Sequence, residues 1–145
     1  MVDINLANEV RKLTEEGLGD DTGNILKIFE LMKQASTEID ELKEELGDID
    51  QFVGQMVVLD KDFKWWTKIG GGEFDYGEGE GSDPSFTMSC NWDIMAGLMR
   101  GEVDGTSAYM SGDLKIEGNL QDTMAYGEYL ALAAETLREL GEKMK

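Results

Sequence analysis

Apolar residues recur at steps of three and four in two early stretches of the chain. Ile4, Ala7, Val10 and Leu13 (or Leu6) fall on one face of a short helix over residues 4–16. After a glycine- and aspartate-rich break, "GLGDDTGN", the same spacing resumes at Ile25, Ile28, Phe29, Met32, Ala35, Ile39, Leu42 and Leu46. That run predicts one long amphipathic helix, closed by Gly47. From Phe52 the period changes to two. "FVGQMVVLD" alternates weakly, and "FKWWTKI" alternates well, with Phe63, Trp65, Thr67 and Ile69 on one face and Lys64, Trp66 and Lys68 on the other. The "DKD" between them is short enough for a hairpin. "EFDYGEGEG" places Phe74 and Tyr76 on one face, and "PSFTMSC" gives a fourth strand with Phe86, Met88 and Cys90 together.

A helix follows, with Asn91 as N-cap, Trp92, Met95, Leu98 and Met99 along one side, and Gly101 past its end. "GEVDGTSAYMSG" reads as a loop or single turn, and "DLKIEG" as a fifth strand. From Leu120 the chain is helical, with an interruption expected near Gly127 and an apolar stripe of Tyr126, Tyr129, Leu130, Ala133, Leu137 and Leu140. The class is α+β: a five-stranded, mostly antiparallel sheet, built as a four-strand meander plus one crossover strand and covered by helices. No internal repeat or linker divides it.

Charge narrows the partners. The net charge is −18, spread along the whole chain and not gathered in a tail, so nucleic acids and anionic membranes are repelled. The longest apolar runs, such as "MVVL", are far too short to span a bilayer, which argues against stable membrane insertion. The start of the chain lacks a basic segment followed by an apolar block, so a cytoplasmic setting is expected.

Candidate chemistry is sparse. There is no histidine, which removes Ser–His and Cys–His pairs and the usual nitrogen ligand of metals. Cys90 is the single cysteine and sits on an apolar strand face, where an inert thiol is expected. "GEGEG" lacks the ligand spacing of a calcium loop and reads as a flexible acidic turn. No catalytic residue, metal site or cofactor is indicated. Of the adjacent tryptophans Trp65 and Trp66, one must face away from whatever the other packs on, and cover of Trp66 by the amino-terminal helices is expected.

One stretch carries more than its periodicity. "DPSFTMSCNWDIMAGLMRGEVDGTSAYMSGDLKIEGNL" resembles the sterol carrier protein-2 (SCP2-like) family, in which a strand runs into a helix ending at a glycine. A loop then leads into a Met-Ser-Gly-x-Leu-Lys-Ile-x-Gly run. Gly101, Tyr109, Met110, Ser111, Gly112, Leu114, Lys115, Ile116 and Gly118 match, and Trp65 or Trp66 stands where members often carry a tryptophan. The resemblance covers residues 24–140. It divides the chain into a helical extension, residues 1–22, and an SCP2-like domain, residues 23–145.

The resemblance implies a non-enzymatic lipid-binding or lipid-transfer protein. Its ligand would be fatty acyl, isoprenoid or sterol-like, held in a hydrophobic cavity between sheet and helices. The lining it implies is Met88, Trp92, Met95, Met99, Tyr109, Met110, Ile116, Met124, Leu130 and Leu137. For any one methionine, ordinary core packing is the simpler reading; as a group beside a family cavity they suit a surface that closes around varied shapes. The alternative is a structural or protein-interaction module with a filled cavity, accessory to a lipid-pathway enzyme. Residues 4–46 offer a surface for a protein partner or a homodimer. The family departure is charge: so acidic a member fits a neutral lipid or hand-over from a protein better than loading from anionic membranes.

Overall fold

Asp3 starts the first helix, its carboxylate accepting the backbone N–H groups of Asn5 and Leu6. The computed structural model describes residues 2–143; the ends of the two expected segments, Met1 and residues 144–145, lie outside the described residues. The order is α1 (Ile4–Glu16), α2 (Gly23–Glu38), α3 (Asp40–Asp48), β1 (Phe52–Val58), β2 (Phe63–Gly70), β3 (Glu73–Glu78) and β4 (Phe86–Cys90). Then come α4 (Trp92–Arg100), α5 (Gly105–Ser111), β5 (Lys115–Gly118) and α6 (Leu120–Lys143).

The architecture is α+β with a five-stranded sheet, as expected, in the order β3-β2-β1-β4-β5. The connectivity differs from the expected meander. β1, β2 and β3 do run as an antiparallel meander, but β4 pairs parallel with β1, and β5 pairs antiparallel with β4. The crossover therefore lies between β3 and β4, not before β5. Strand partnership is a long-range choice, and period-two runs with short connections do not encode it.

The crossover segment runs across the sheet face that carries Gln55 and Trp66. Gln55 Nε2 donates to the carbonyls of Trp65 and Gly79, both at 3.0 Å, and its Oε1 accepts the Gly81 N–H at 2.7 Å. The Ser85 N–H then donates to Val53 O. Gly77 and Gly81 lie flat against Trp66, where an added Cβ would stand 2.7 Å from the indole side chain. Trp66 is thus covered by this acidic strap and not by the amino-terminal helices. Gly77 and Gly81 of "GEGEG" are glycine because the backbone must approach that closely, whereas Gly79 has open space around it and a φ of +98°.

The helices lie on the opposite face. The long apolar stripe is split at Ile39, which is extended (φ −96°, ψ 118°) and ends α2 while starting α3. The Thr37 hydroxyl donates back to Lys33 O, and Asp40 and Glu41 occupy the first turn of α3, both of which favour a new start there. α6 carries through Gly127 without interruption, because buried Tyr126, Tyr129 and Ala133 outweigh the weak helix preference of one exposed glycine. Aromatic rings fill the layer between sheet and helices: Phe29 meets Trp65 edge-on with centroids 5.6 Å apart, and Phe86 meets Tyr126 likewise at 5.5 Å.

Candidate functional site

The matched motif builds the far end of the sheet. α4 starts at Asn91 as expected, but its first N–H group, that of Trp92, donates to Asp60 Oδ1 of the β1–β2 turn at 2.7 Å. Gly101 ends α4 in the left-handed conformation. The segment expected as a loop or single turn forms the seven-residue α5, capped by Asp104, whose carboxylate accepts the Ser107 N–H. Gly112 ends it, again left-handed. The Leu114 N–H donates to Ala108 O, Leu114 is buried, and β5 follows. Gly118 (φ +104°) brings β5 against β4 so closely that a Cβ would stand 2.5 Å from Ser85 O. Asn119 caps α6 by accepting the Asp122 N–H, and the Ser85 hydroxyl donates to the Asp122 carboxylate.

The expected lining residues separate into groups. Met88 and Ile116 are register partners on the helix-covered face, half-buried at the β5 edge. Met95 is buried, while Met99, Leu130 and Leu137 are partly buried against the core. Trp92 is turned to the connection between α1 and α2, its Nε1 donating to Gly19 O at 2.7 Å. Tyr109, Met110 and Met124 are exposed at 43%, 80% and 65%. Leu120, at 52%, joins them without having been singled out. Among the described residues, four of the six exposed large hydrophobic side chains therefore fall in the two helices that flank β5.

Two surface hollows are present elsewhere. One of about 200 Å³ is lined by Glu30, Lys33, Gln34, Thr37 and Glu38; one of about 160 Å³ lies around Val57, Leu59 and Lys64. Neither borders on the expected lining residues. The layer between sheet and helices holds two hydroxyl pairs that periodicity does not reveal. Thr67 Oγ1 and Tyr126 Oη are 3.1 Å apart, and Ser36 pairs with Tyr129. Burial pushes the Tyr129 phenol up to about 12 and raises that of Tyr126 further. Both stay neutral.

The Cys90 thiol is pushed up to about 12 by burial first and then by Asp93 and Asp60. It remains protonated and poorly nucleophilic. Among the described residues no group of three acidic or thiol side chains is placed to hold a metal ion, and no helix is long and apolar enough to cross a membrane.

Residues 2–22 are tied to the rest through their carboxyl-terminal part. Arg100 donates to the carbonyls of Thr14 and Glu15, Asn24 donates to Leu18 O, and Leu18 is buried. The α2 stripe packs on the chain's own sheet, with Phe29 against Trp65, Phe74 and Tyr76.

A family model described as the SCP-2 sterol transfer family matches residues 29–131. No curated protein matches the chain by sequence. Among solved structures it is similar to a UbiJ-SCP2 ubiquinone synthesis protein, with a TM-score of 0.61 and 17% identity over 74% of this chain and 93% of that one. The apo form of sterol carrier protein 2 from Yarrowia lipolytica gives 0.58 and 18%, over 74% and 89%. A stereoselective inverting sec-alkylsulfatase from Pseudomonas sp. gives 0.57 and 15%, over 73% of this chain but 16% of that enzyme. At these identities the likeness shows a shared fold.

Proposed function

Because the chain belongs to the SCP-2 sterol transfer family, we propose that it is a non-enzymatic lipid-binding protein that takes its ligand at the β5 end of the sheet. The observation that carries this reading is the apolar surface flanking β5. Tyr109 and Met110 of α5 and Leu120 and Met124 of α6 are exposed in the helices that precede and follow β5, whose Ile116 is the register partner of half-buried Met88. A scattered exposed apolar side chain needs no explanation, whereas a concentration of them marks a contact surface.

The mechanism is reversible burial, worth about 25 cal/mol per Å² of apolar surface removed from water. No bond is made or broken. Since side chains already fill the layer between sheet and helices, a fatty acyl, isoprenoid or sterol-like ligand enters by moving them aside. Methionine is suited to that, being unbranched and polarizable. α5 is the element that yields, because Ala108 is its one buried residue. The net charge of −18 disfavours anionic membranes as donors, and favours a neutral lipid or hand-over from a protein in a cytoplasmic setting.

A second reading, an interaction module whose cavity is filled, is favoured by the packing of Phe86, Tyr126 and Tyr129 in that layer. Native mass spectrometry of gently purified protein, followed by organic extraction, separates the two. A co-purified or added apolar molecule bound one-to-one supports the carrier. A bare mass with no uptake of fatty acids or isoprenoids refutes it and leaves the module.

A further inference from the structure

Four residues form one row across the helix-covered face of the sheet. Ile116 on β5 stands opposite Met88 on β4, Met88 beside Met56 on β1, and Met56 opposite Trp65 on β2. At about 4.8 Å between neighbouring strands, the row is about 14 Å long. Burial increases inward: Ile116 and Met88 are half-buried, Met56 is 1% exposed and Trp65 is fully buried. The middle of the row is two methionines, whose unbranched chains can swing without moving the backbone.

At the inner end is an unsatisfied donor. The Trp65 indole Nε1–H is buried and has no hydrogen-bond partner among the described residues. Phe29 packs on the indole at 68° with centroids 5.6 Å apart, which offers at most a weak π acceptor. Buried indole N–H groups are ordinarily paired. This one is already stripped of water, so an acceptor brought to it gains a hydrogen bond without the usual loss of a bond to solvent.

Building on the lipid-binding reading above, we infer that the ligand lies along this row and presents a neutral carbonyl oxygen to the Trp65 indole N–H. The apolar remainder passes over Met56 and Met88 to the β5 edge. A carboxylate does not suit the inner end. The row carries no cation, the next position beyond Trp65 on the same face is Glu78, and an unpaired buried charge is very costly. A plain hydrocarbon fits by shape but leaves the donor unpaired.

The test uses the full chain labelled with nitrogen-15 and three probes of equal chain length: methyl nonyl ketone, undecane and undecanoic acid. Each is presented from a cyclodextrin carrier, with affinities corrected for binding to that carrier. Three tryptophans give three indole N–H signals, and Trp65→Phe identifies the one that matters. The ketone is expected to bind at least about fivefold more tightly than undecane and to move the Trp65 signal downfield. Undecane should leave that signal near its free position, and Trp65→Phe should lower the ketone to the affinity of undecane. If that variant does not fold, selective displacement of the innermost signal in the unsubstituted protein decides the matter. Equal binding of ketone and undecane with an unmoved Trp65 signal overturns the inference and leaves the carrier reading intact. Tightest binding by undecanoic acid overturns the neutral-acceptor assignment. Binding of none of the three overturns both readings.

Discussion

Gly112 and Gly118 bracket the fifth strand, and their replacement by alanine should have very different costs. Both have positive φ, +88° and +104°, so each alanine incurs backbone strain of about 1–2 kcal/mol. Alanine also restricts the unfolded chain equally at the two sites, so that effect cancels in the comparison. Surroundings make the difference. Nothing lies within 4 Å of a Cβ at Gly112, whereas one at Gly118 meets Ser85 O at 2.5 Å and Phe86 Cα at 2.9 Å.

Those neighbours are backbone of the adjoining strand and cannot turn aside. The Ser85 carbonyl also accepts the Asn119 N–H at 3.0 Å, so pushing it away weakens the junction of β5 with α6. Overpacking with loss of that bond should add about 2 kcal/mol to the strain. With a urea slope of about 2 kcal/mol/M, Gly118→Ala should unfold about 1 M earlier than Gly112→Ala. Urea denaturation followed by far-ultraviolet circular dichroism measures this directly. Midpoints agreeing within about 0.2 M at equal slopes would show that β5 is not held as closely as argued, and the reasoning would fail.

Three further outcomes follow from the packing. Gln55→Leu removes the two hydrogen bonds that fasten the strap to the sheet, at Gly79 and Gly81, and a third to Trp65 O of β2, and should cost about 3 kcal/mol, with faster hydrogen exchange at Gly81 and a red shift of tryptophan fluorescence; unchanged exchange at Gly81 would contradict the role given to Gln55. Arg100→Ala should release the end of α1 from α4, costing about 1–2 kcal/mol and raising exchange in residues 14–19, while leaving β2 protected. Cys90 and Tyr129 have folded-state values of about 12 against ordinary values of 9.0 and 10.0, so the unfolded chain releases these protons first. Their contribution is fully present below the unfolded values and is lost as pH rises through the folded ones, so urea midpoints should fall between about pH 8 and about pH 11. A midpoint that holds steady or rises over that range would refute the assignment of both groups as buried and neutral.

Much of the fold is legible in the residues, for local reasons. Period-two runs at Phe63–Gly70 and period-3.6 runs such as Ile25–Ile28–Phe29–Met32 report which face is buried, since that is what sets the period. What they do not report is which strand meets which. β4 could have followed β3 at the sheet edge as far as its own pattern goes, and its place beside β1 depends on a strap fitted to Gln55 and Trp66. The break at Ile39 escaped for a similar reason, because the apolar spacing continues through it. The proposed site was legible in part. The motif located the β5 end, but apolar type alone did not distinguish Met95, which is buried, from Met110, which projects into solvent. Trp65 is apolar by its pattern, and nothing in the pattern marks its N–H as unpaired.

The strap from β3 to β4 also bears on the order in which the molecule assembles. The β1–β2 and β2–β3 hairpins close short loops between sequence neighbours. β4 must wait until the intervening chain has crossed two strands, and loop closure of that length is entropically slower. β5 can add only after β4 is seated. The β5 edge, where ligand entry is proposed, is therefore the last part of the sheet to be built. By microscopic reversibility it is also the first to come apart under native conditions, and slow-exchange amides should retreat from Lys115 toward Trp65. On the lipid-binding proposal, a late-forming edge is the place where a guest would enter by partial unfolding while the rest of the sheet stays intact.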